Sequence, residues 1–350
     1  MMKLLSRRNL FVCLLLLFSS VALHAQPKSG YHVIKQLKLG GEGGWDYLTF
    51  DAKGNRLFIS RGTHVMVVNA DSGAVVGDIP DTQGVHGIAL ADEFGKGYTS
   101  NGRTSNVTVF DLKTLKVLKQ VPVGKNPDAI IYDPSSKRVF TMNGASGDAT
   151  AIDAKTDSVA GTVSLGGKPE FATADERGHV FVNLEDKSTI VEVDSQKLGV
   201  VNTWPLAPCE EPSGMAIDRK HHRLFSGCSN KVMAVVDADS GKVLTTVPIG
   251  AGVDANGFDP ETGLAFSSNG GDATLTVVHE DSPDKFTVVE NAPTQKGART
   301  MTLDPKTHRV FLVTAEFGPL PAPTPERPRP RPSIVPGSFT LLILGRRVEI

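Results

Sequence analysis

Seven residues of this 350-residue chain recur at intervals of about 42 and could do chemistry: Asp46, His86, Asp128, Glu170, Ser213, Asp254 and Arg299. Each stands about five residues before a short acidic turn. Four are carboxylates, one is an imidazole and one a guanidinium. Like charges held close together cost energy unless something compensates. Arg299 is one compensation. A bound divalent cation is a second, because the oxygens of Asp46, Asp128, Glu170 and Asp254 suit Ca²⁺ or Mg²⁺. A polar organic ligand with positive or hydroxyl groups is a third. His86 titrates near neutral pH and could act as acid or base. Glu210 and Glu211, just before Ser213, join the same neighbourhood. A second set follows the same period: Arg61, Asn101, Asn143, Asn183, Cys228, Asn269 and Thr314. Asn101, Asn143 and Asn269 are further candidates to line a ligand site, although Asn and Asp also bond locally to backbone at turns. His86 and Arg299 break the repeat pattern, so the fold alone does not account for them.

The elements that must position these residues are strands. Acidic turns recur at Asp51, Asp92, Asp133, Asp175, Asp218, Asp259 and Asp304. Each is followed by a β-rich segment, such as Leu57–Ser60, Val139–Met142 or Val310–Val313, then by a third and a fourth strand, such as Val107–Phe110 and Val117–Val121. No helical period survives between them. A four-stranded repeat of this length is a propeller blade. The expected fold is all-β: a seven-bladed β-propeller with four antiparallel strands per blade. The seventh repeat nearly runs out of chain, and Val33–Gly40 reads like the fourth strands elsewhere. The N-terminal strand is therefore expected to close the last blade and cover its edge. In that topology the first set lies just before the innermost strand A of each blade and the second set just after strand B, so all seven of the first set converge at the mouth of a central tunnel.

The segments Tyr98–Asn101, Phe140–Asn143 and Phe266–Asn269 resemble the signature of the YVTN-repeat (YncE-like) exported β-propellers. Val121–Gly124 and Val247–Gly250 resemble the Val-Pro-x-Gly blade ending of the same family. The likeness spans essentially the whole chain after its first 25 residues. It implies the seven-bladed fold and an extracytoplasmic location. It implies no uniform activity: members look like binding or surface proteins, and some relatives are suspected of binding DNA. Arg61, Cys228 and Thr314 depart from the expected Asn, and the fourth repeat has a turn shorter by one residue.

Residues 1–25 read as a secretory signal peptide, with a basic start (Lys3, Arg7, Arg8), an apolar run from Leu10 to Leu17 and a small-residue cleavage pattern ending at Ala25. The run is too short for a membrane span. Ser6–Phe11 also fits a twin-arginine signal, but the very apolar run favours the general secretory route. Cleavage leaves 26–350 as one propeller domain, periplasmic or secreted, expected to be monomeric. Loss of Lys3, Arg7 and Arg8 lowers Lys plus Arg from 37 to 34, against 38 Asp plus Glu. That acidic balance disfavours nucleic acid as a partner.

Cys209 and Cys228 remain after cleavage and flank the first two strands of the fifth repeat. Adjacent strand ends on one face come within disulfide reach, so a bridge is expected. Residues 318–337 form a Pro-rich insertion in the last blade, with Arg327, Arg329 and Arg331 interleaved. Its composition favours an extended polyproline-II segment emerging on the mouth side, either a disordered surface insertion or a lid or docking peptide. The sequence lacks a haem-attachment motif, a phosphate loop, a zinc-type His/Cys cluster and a nucleophile elbow. These features favour a binding or scaffold protein that takes a small polar ligand or a protein partner. The alternative is a metal-dependent lyase or lactonase with His86 as base and Arg299 stabilising an oxyanion. Single-stranded DNA binding ranks third.

Overall fold

Seven aromatic residues, one in the second strand of each repeat, set the spacing of the molecule. Phe58, Tyr98, Phe140, Phe181, Phe225, Phe266 and Phe311 are all buried. The alternation of the strands places each ring on one sheet face, where it fills the space against a neighbouring sheet. In the computed structural model, which describes residues 29–324, 327–328 and 330–346, the chain forms seven four-stranded antiparallel sheets. The proposed signal peptide, Arg329 and residues 347–350 lie outside the described residues.

The sheets are the blades of a propeller, each with strands A to D from the axis outward. Seven hydrophobic clusters lie between successive blades. Phe58 and Val67 of blade 1, for example, pack with Val85 and Phe110 of blade 2, and Phe311 and Leu341 of blade 7 pack with Leu57 and Ile59 of blade 1. Each blade thus buries its faces only by having neighbours, which is why the ring must close. Closure is made as expected. Tyr31–Lys38 pairs antiparallel with Thr340–Arg346 and forms strand D of blade 7. Among the described residues no helix is long and apolar enough to cross a membrane.

The innermost strands differ from expectation in one respect. The ring residues of blades 2 to 6 do not precede strand A but are its second residue, in Val85–Ala91, Pro127–Asp133, Pro169–Ala174, Pro212–Asp218 and Val253–Asp259. In these blades the first residue of strand A pairs with the last of strand B, as in Val85 with Asn101 and Pro127 with Asn143. A bulge follows at once in every case. Blades 1 and 7 lack that extra pair, so Leu48–Asp51 and Met301–Asp304 start late and leave Asp46 and Arg299 outside. A bulge bends the strand and re-aims its side chains, which suits a position facing the axis.

The Pro-rich insertion also departs from the expected extended arm. It is a paired hairpin between strands B and C of blade 7. Phe317 bridges to Ile334 at its base, and Thr324 to Arg327 near its tip. Gly318 N–H donates to the Ser333 carbonyl at 2.8 Å.

Candidate functional site

The bulged entries of the inner strands bring the ring residues together around the axis. Their backbones are fixed by polar side chains of the preceding blade. Ser100 donates to the Asp128 carbonyl, Asn183 to that of Ser213 at 2.7 Å, Ser268 to that of Arg299, and Thr300 to that of Asp46 at 2.6 Å. The side chains then link blade to blade. Ser213 donates to Asp254 at 3.0 Å, Arg299 Nε donates to Asp254, and Arg299 Nη2 lies 3.0 Å from Asp46 Oδ1. His86 Nδ1 is 2.6 Å from Asp46 Oδ2 and 3.6 Å from Asp128 Oδ1. Lys168 is shared between Glu170, at 3.5 Å, and Glu185.

This wreath is asymmetric. On one side Asp254, Arg299, Asp46 and His86 form a continuous chain of ion pairs. On the other side the cations near Asp128 and Glu170 stand farther off, His86 at 3.6 Å and Lys168 at 3.5 Å. Proton affinities follow the same division. Burial pushes the Asp128 carboxyl up to about 6, partly offset by His86. Burial, then the Asp128 charge, pushes Glu170 up to about 8. Burial also raises Asp254, against the opposing pull of Arg299. For His86, burial favours the neutral ring, but the Asp46 hydrogen bond and the charges of Asp128, Asp46 and Glu170 outweigh it and raise its pKa.

Directly after two ring residues stand Tyr47 and Phe171, whose rings lie 5.4 Å apart. They come from blades 1 and 4, so they meet across the axis. The ring therefore sits in a cup above an aromatic pair. Burial raises the Tyr47 pKa far above its usual value, and the charges of Asp128, Asp46, Glu170 and Asp254 raise it further. Tyr47 was not legible in the sequence, because it lies outside the repeated polar positions.

The expected metal set is only partly assembled. Ligand atoms of Asp46, His86 and Asp128 lie within 4.8 Å of one another. Glu170 and Asp254 are outside that group, and Asp254 is turned to Arg299. Asn101, Asn143 and Asn269 do not face the cup. All three are buried. Asn143 accepts from Thr141 at 2.9 Å and donates to Asp148 at 2.6 Å and Thr150 at 2.9 Å, and the other two make equivalent bonds within their own blades. These residues tie strand B to strand C. Arg61, in the equivalent place in blade 1, is also buried. It stacks on Phe339 at 3.6 Å and donates to the carbonyls of Gly40, Glu42 and Gly43.

Beside the cup, with Arg299 as the shared wall, lies a cavity of about 700 Å³ under the blade 7 hairpin. Trp45, Phe317 and Ile334 supply apolar walls, and Lys296 and Arg331 bring further positive charge. The Trp45 indole N–H is buried without a hydrogen-bond partner among the described residues. The expected disulfide is present: Cys209 and Cys228 are bonded, with Cα atoms 5.5 Å apart. It holds the Glu210–Glu211 loop at this face, where Ser229 N–H donates to the Glu210 carbonyl at 2.9 Å.

No family model matches the chain, and no curated protein sequence matches it. Solved structures do. A chain titled Kuenenia stuttgartiensis hydrazine synthase superposes with a TM-score of 0.69 at 15% identity, covering 77% of this chain and 92% of that one. A chain of a mitotic checkpoint complex gives 0.73 at 14%, covering 97% and 98%. The RRP9 WD40 repeats give 0.75 at 9%, covering 92% and 99%. At these identities the likeness is one of fold.

Proposed function

We propose that this protein is an exported, monomeric, single-domain propeller of the YVTN-repeat kind that binds a small polar ligand at the tunnel mouth. The observation that carries the reading is the pair Asp128 and Glu170: two adjacent, largely buried carboxylates whose neighbouring cations, His86 and Lys168, stand only at 3.6 and 3.5 Å. A ligand with an ammonium or several hydroxyl groups would supply the missing donors. Its remaining polar or apolar part would reach past Arg299 into the cavity, where Lys296, Arg331 and the orphaned Trp45 N–H offer donors and the aromatic rings offer contact area. The Asn-centred bonding of blades 2, 3 and 6 supports the family reading, and the disulfide suits an oxidising compartment.

A second reading is metal-assisted chemistry of the lyase or lactonase type, favoured by the clustering of Asp46, His86 and Asp128. A protein partner docking on the same face is a third occupant, in keeping with one structural neighbour being a chain of a mitotic checkpoint complex. Native mass spectrometry of protein purified without chelators separates them. A retained organic molecule that is lost in Asp128→Asn and Glu170→Gln supports ligand binding. A retained metal lost in Asp46→Asn supports the enzyme reading instead. Retention that neither set of variants affects would place the site elsewhere and refute both.

A further inference from the structure

At the far ends of the inner strands, strand A of blade 5 finishes at Asp218 in an acidic turn. The equivalent turn in blade 1 is neutralised locally: Arg56 donates to Asp51 through Nε at 3.0 Å and Nη2 at 2.7 Å. Blade 5 has the same residue in the same place, Arg223, but its guanidinium is drawn off. It donates to the Pro283 carbonyl at 2.7 Å, to Asp237 at 2.7 Å and to the carbonyls of His221 and His222. Asp218 therefore lacks the cation that its counterpart has.

An imidazole and a second carboxylate stand there instead. His221 Nδ1 lies 2.7 Å from Asp218 Oδ2 and 2.9 Å from Glu280 Oε1. Glu280 is delivered by blade 6, whose strands C and D, Thr274–Ser282 and Lys285–Pro293, are nine residues each. No other C or D strand is that long among the described residues. Arg223 holds the tip of this hairpin through Pro283 and Asp284. The side chains of Asp218 and Glu280 are only 3% and 4% exposed. Yet His221 Nδ1 and Glu280 Oε1 are both buried without a partner in hydrogen-bond geometry among the described residues. Two buried carboxylates facing one imprecisely aligned ring nitrogen are a costly arrangement in a protein interior.

We propose that Asp218, His221 and Glu280 form a divalent transition-metal site that clamps blade 5 to blade 6. One ligand atom from each residue lies within 4.8 Å of the others. Neighbouring donors on an octahedral ion with bonds of ~2.1 Å stand about 3.0 Å apart, close to the 2.7 and 2.9 Å seen here. The three residues would occupy one face and leave the others to water. One imidazole nitrogen with two carboxylate oxygens suits Mn²⁺ or Zn²⁺ better than Ca²⁺. The site spans two blades on opposite sides of a 59-residue gap in sequence, from His221 to Glu280, so no local motif announces it. It does not depend on what the cup binds.

The test uses full-length protein stripped with chelator, carrying Asp46→Asn and Asp128→Asn so that the cup cannot hold the ion. Mn²⁺ uptake is read by electron paramagnetic resonance, and Zn²⁺ uptake by equilibrium dialysis. One equivalent should bind, and adding Glu280→Gln or His221→Gln should weaken binding more than tenfold. No uptake in the cup-disabled protein, or uptake insensitive to both changes, overturns the proposal. A measurement on the protein without changes at this site guards against misfolded variants. Zn²⁺ should shift the imidazole resonances of His221 in a histidine-selective NMR spectrum, and an unmoved His221 overturns the site as well.

Discussion

Replacing Glu170 by Gln tests the electrostatics of the cup while keeping its shape. The Glu170 side chain is 17% exposed, and burial with the neighbouring Asp128 charge pushes its pKa from 4.5 to about 8. In the unfolded chain it ionises near ~4.3. Between those values the folded protein keeps a proton that the unfolded chain has released. Stability therefore falls as pH rises from the unfolded value through the folded one, and levels off above it. The full gap is worth roughly 5 kcal/mol at about 1.4 kcal/mol for each tenfold change in proton affinity. Glu170 and Asp128 titrate as a pair, and partial solvent access softens the penalty, so about 1–3 kcal/mol is the expected share. Gln carries no charge at any pH. Wild type and Glu170→Gln should melt together at pH 5 in scanning calorimetry. At pH 9 the variant should melt higher by about 1.5–4.5 °C. A variant that melts with the wild type or below it at pH 9 refutes the argument that Glu170 is held against its charged form.

Two further changes probe the scaffold. Cys209→Ser opens a loop with a sequence separation of 19 and should cost about 3 kcal/mol, read as a lower guanidinium midpoint; an unchanged midpoint would mean the loop is held by its other bonds. Asn143→Ala removes three hydrogen bonds, two of them fully buried, and should cost about 2–4 kcal/mol while leaving the ligand affinity of the folded protein intact. A loss of affinity without loss of stability would return Asn143 to the ligand site.

The blades were legible because every repeat carries an aromatic in strand B and the same acidic turn, and both are demanded by packing. Closure was legible because Val33–Gly40 has the pattern of a strand D with no blade of its own, although the strand begins two residues earlier, at Tyr31. The ring of the cup could be read from equivalent positions once the topology was assumed. The starts of strand A were misplaced because a bulge restores one more pair with Asn101, Asn143 or Asn269, and a bulge has no residue signature of its own here. For the same Asn residues, chemical repetition reflected a structural bond, whereas His86 and Arg299, which vary from the repeat, form the ion-pair chain. Contacts across the axis or between blades escaped the sequence: Tyr47 with Phe171, and His221 with Glu280. Nothing near either partner specifies the other, and only the ring geometry brings them together.

The closing strand has a mechanical consequence. Tyr31 lies opposite Arg346 at one end of the shared edge, and Lys38 opposite Thr340 at the other. Tension drawn outward from the two chain ends would load the Tyr31–Arg346 pair alone, then the next, and so on. The circle would unzip like a peeled tape, one rung at a time, at far lower force than shearing a whole strand along its length. Once that strand is free, the apolar flanks of the first and seventh sheets lose the seal on which the rest of the ring leans.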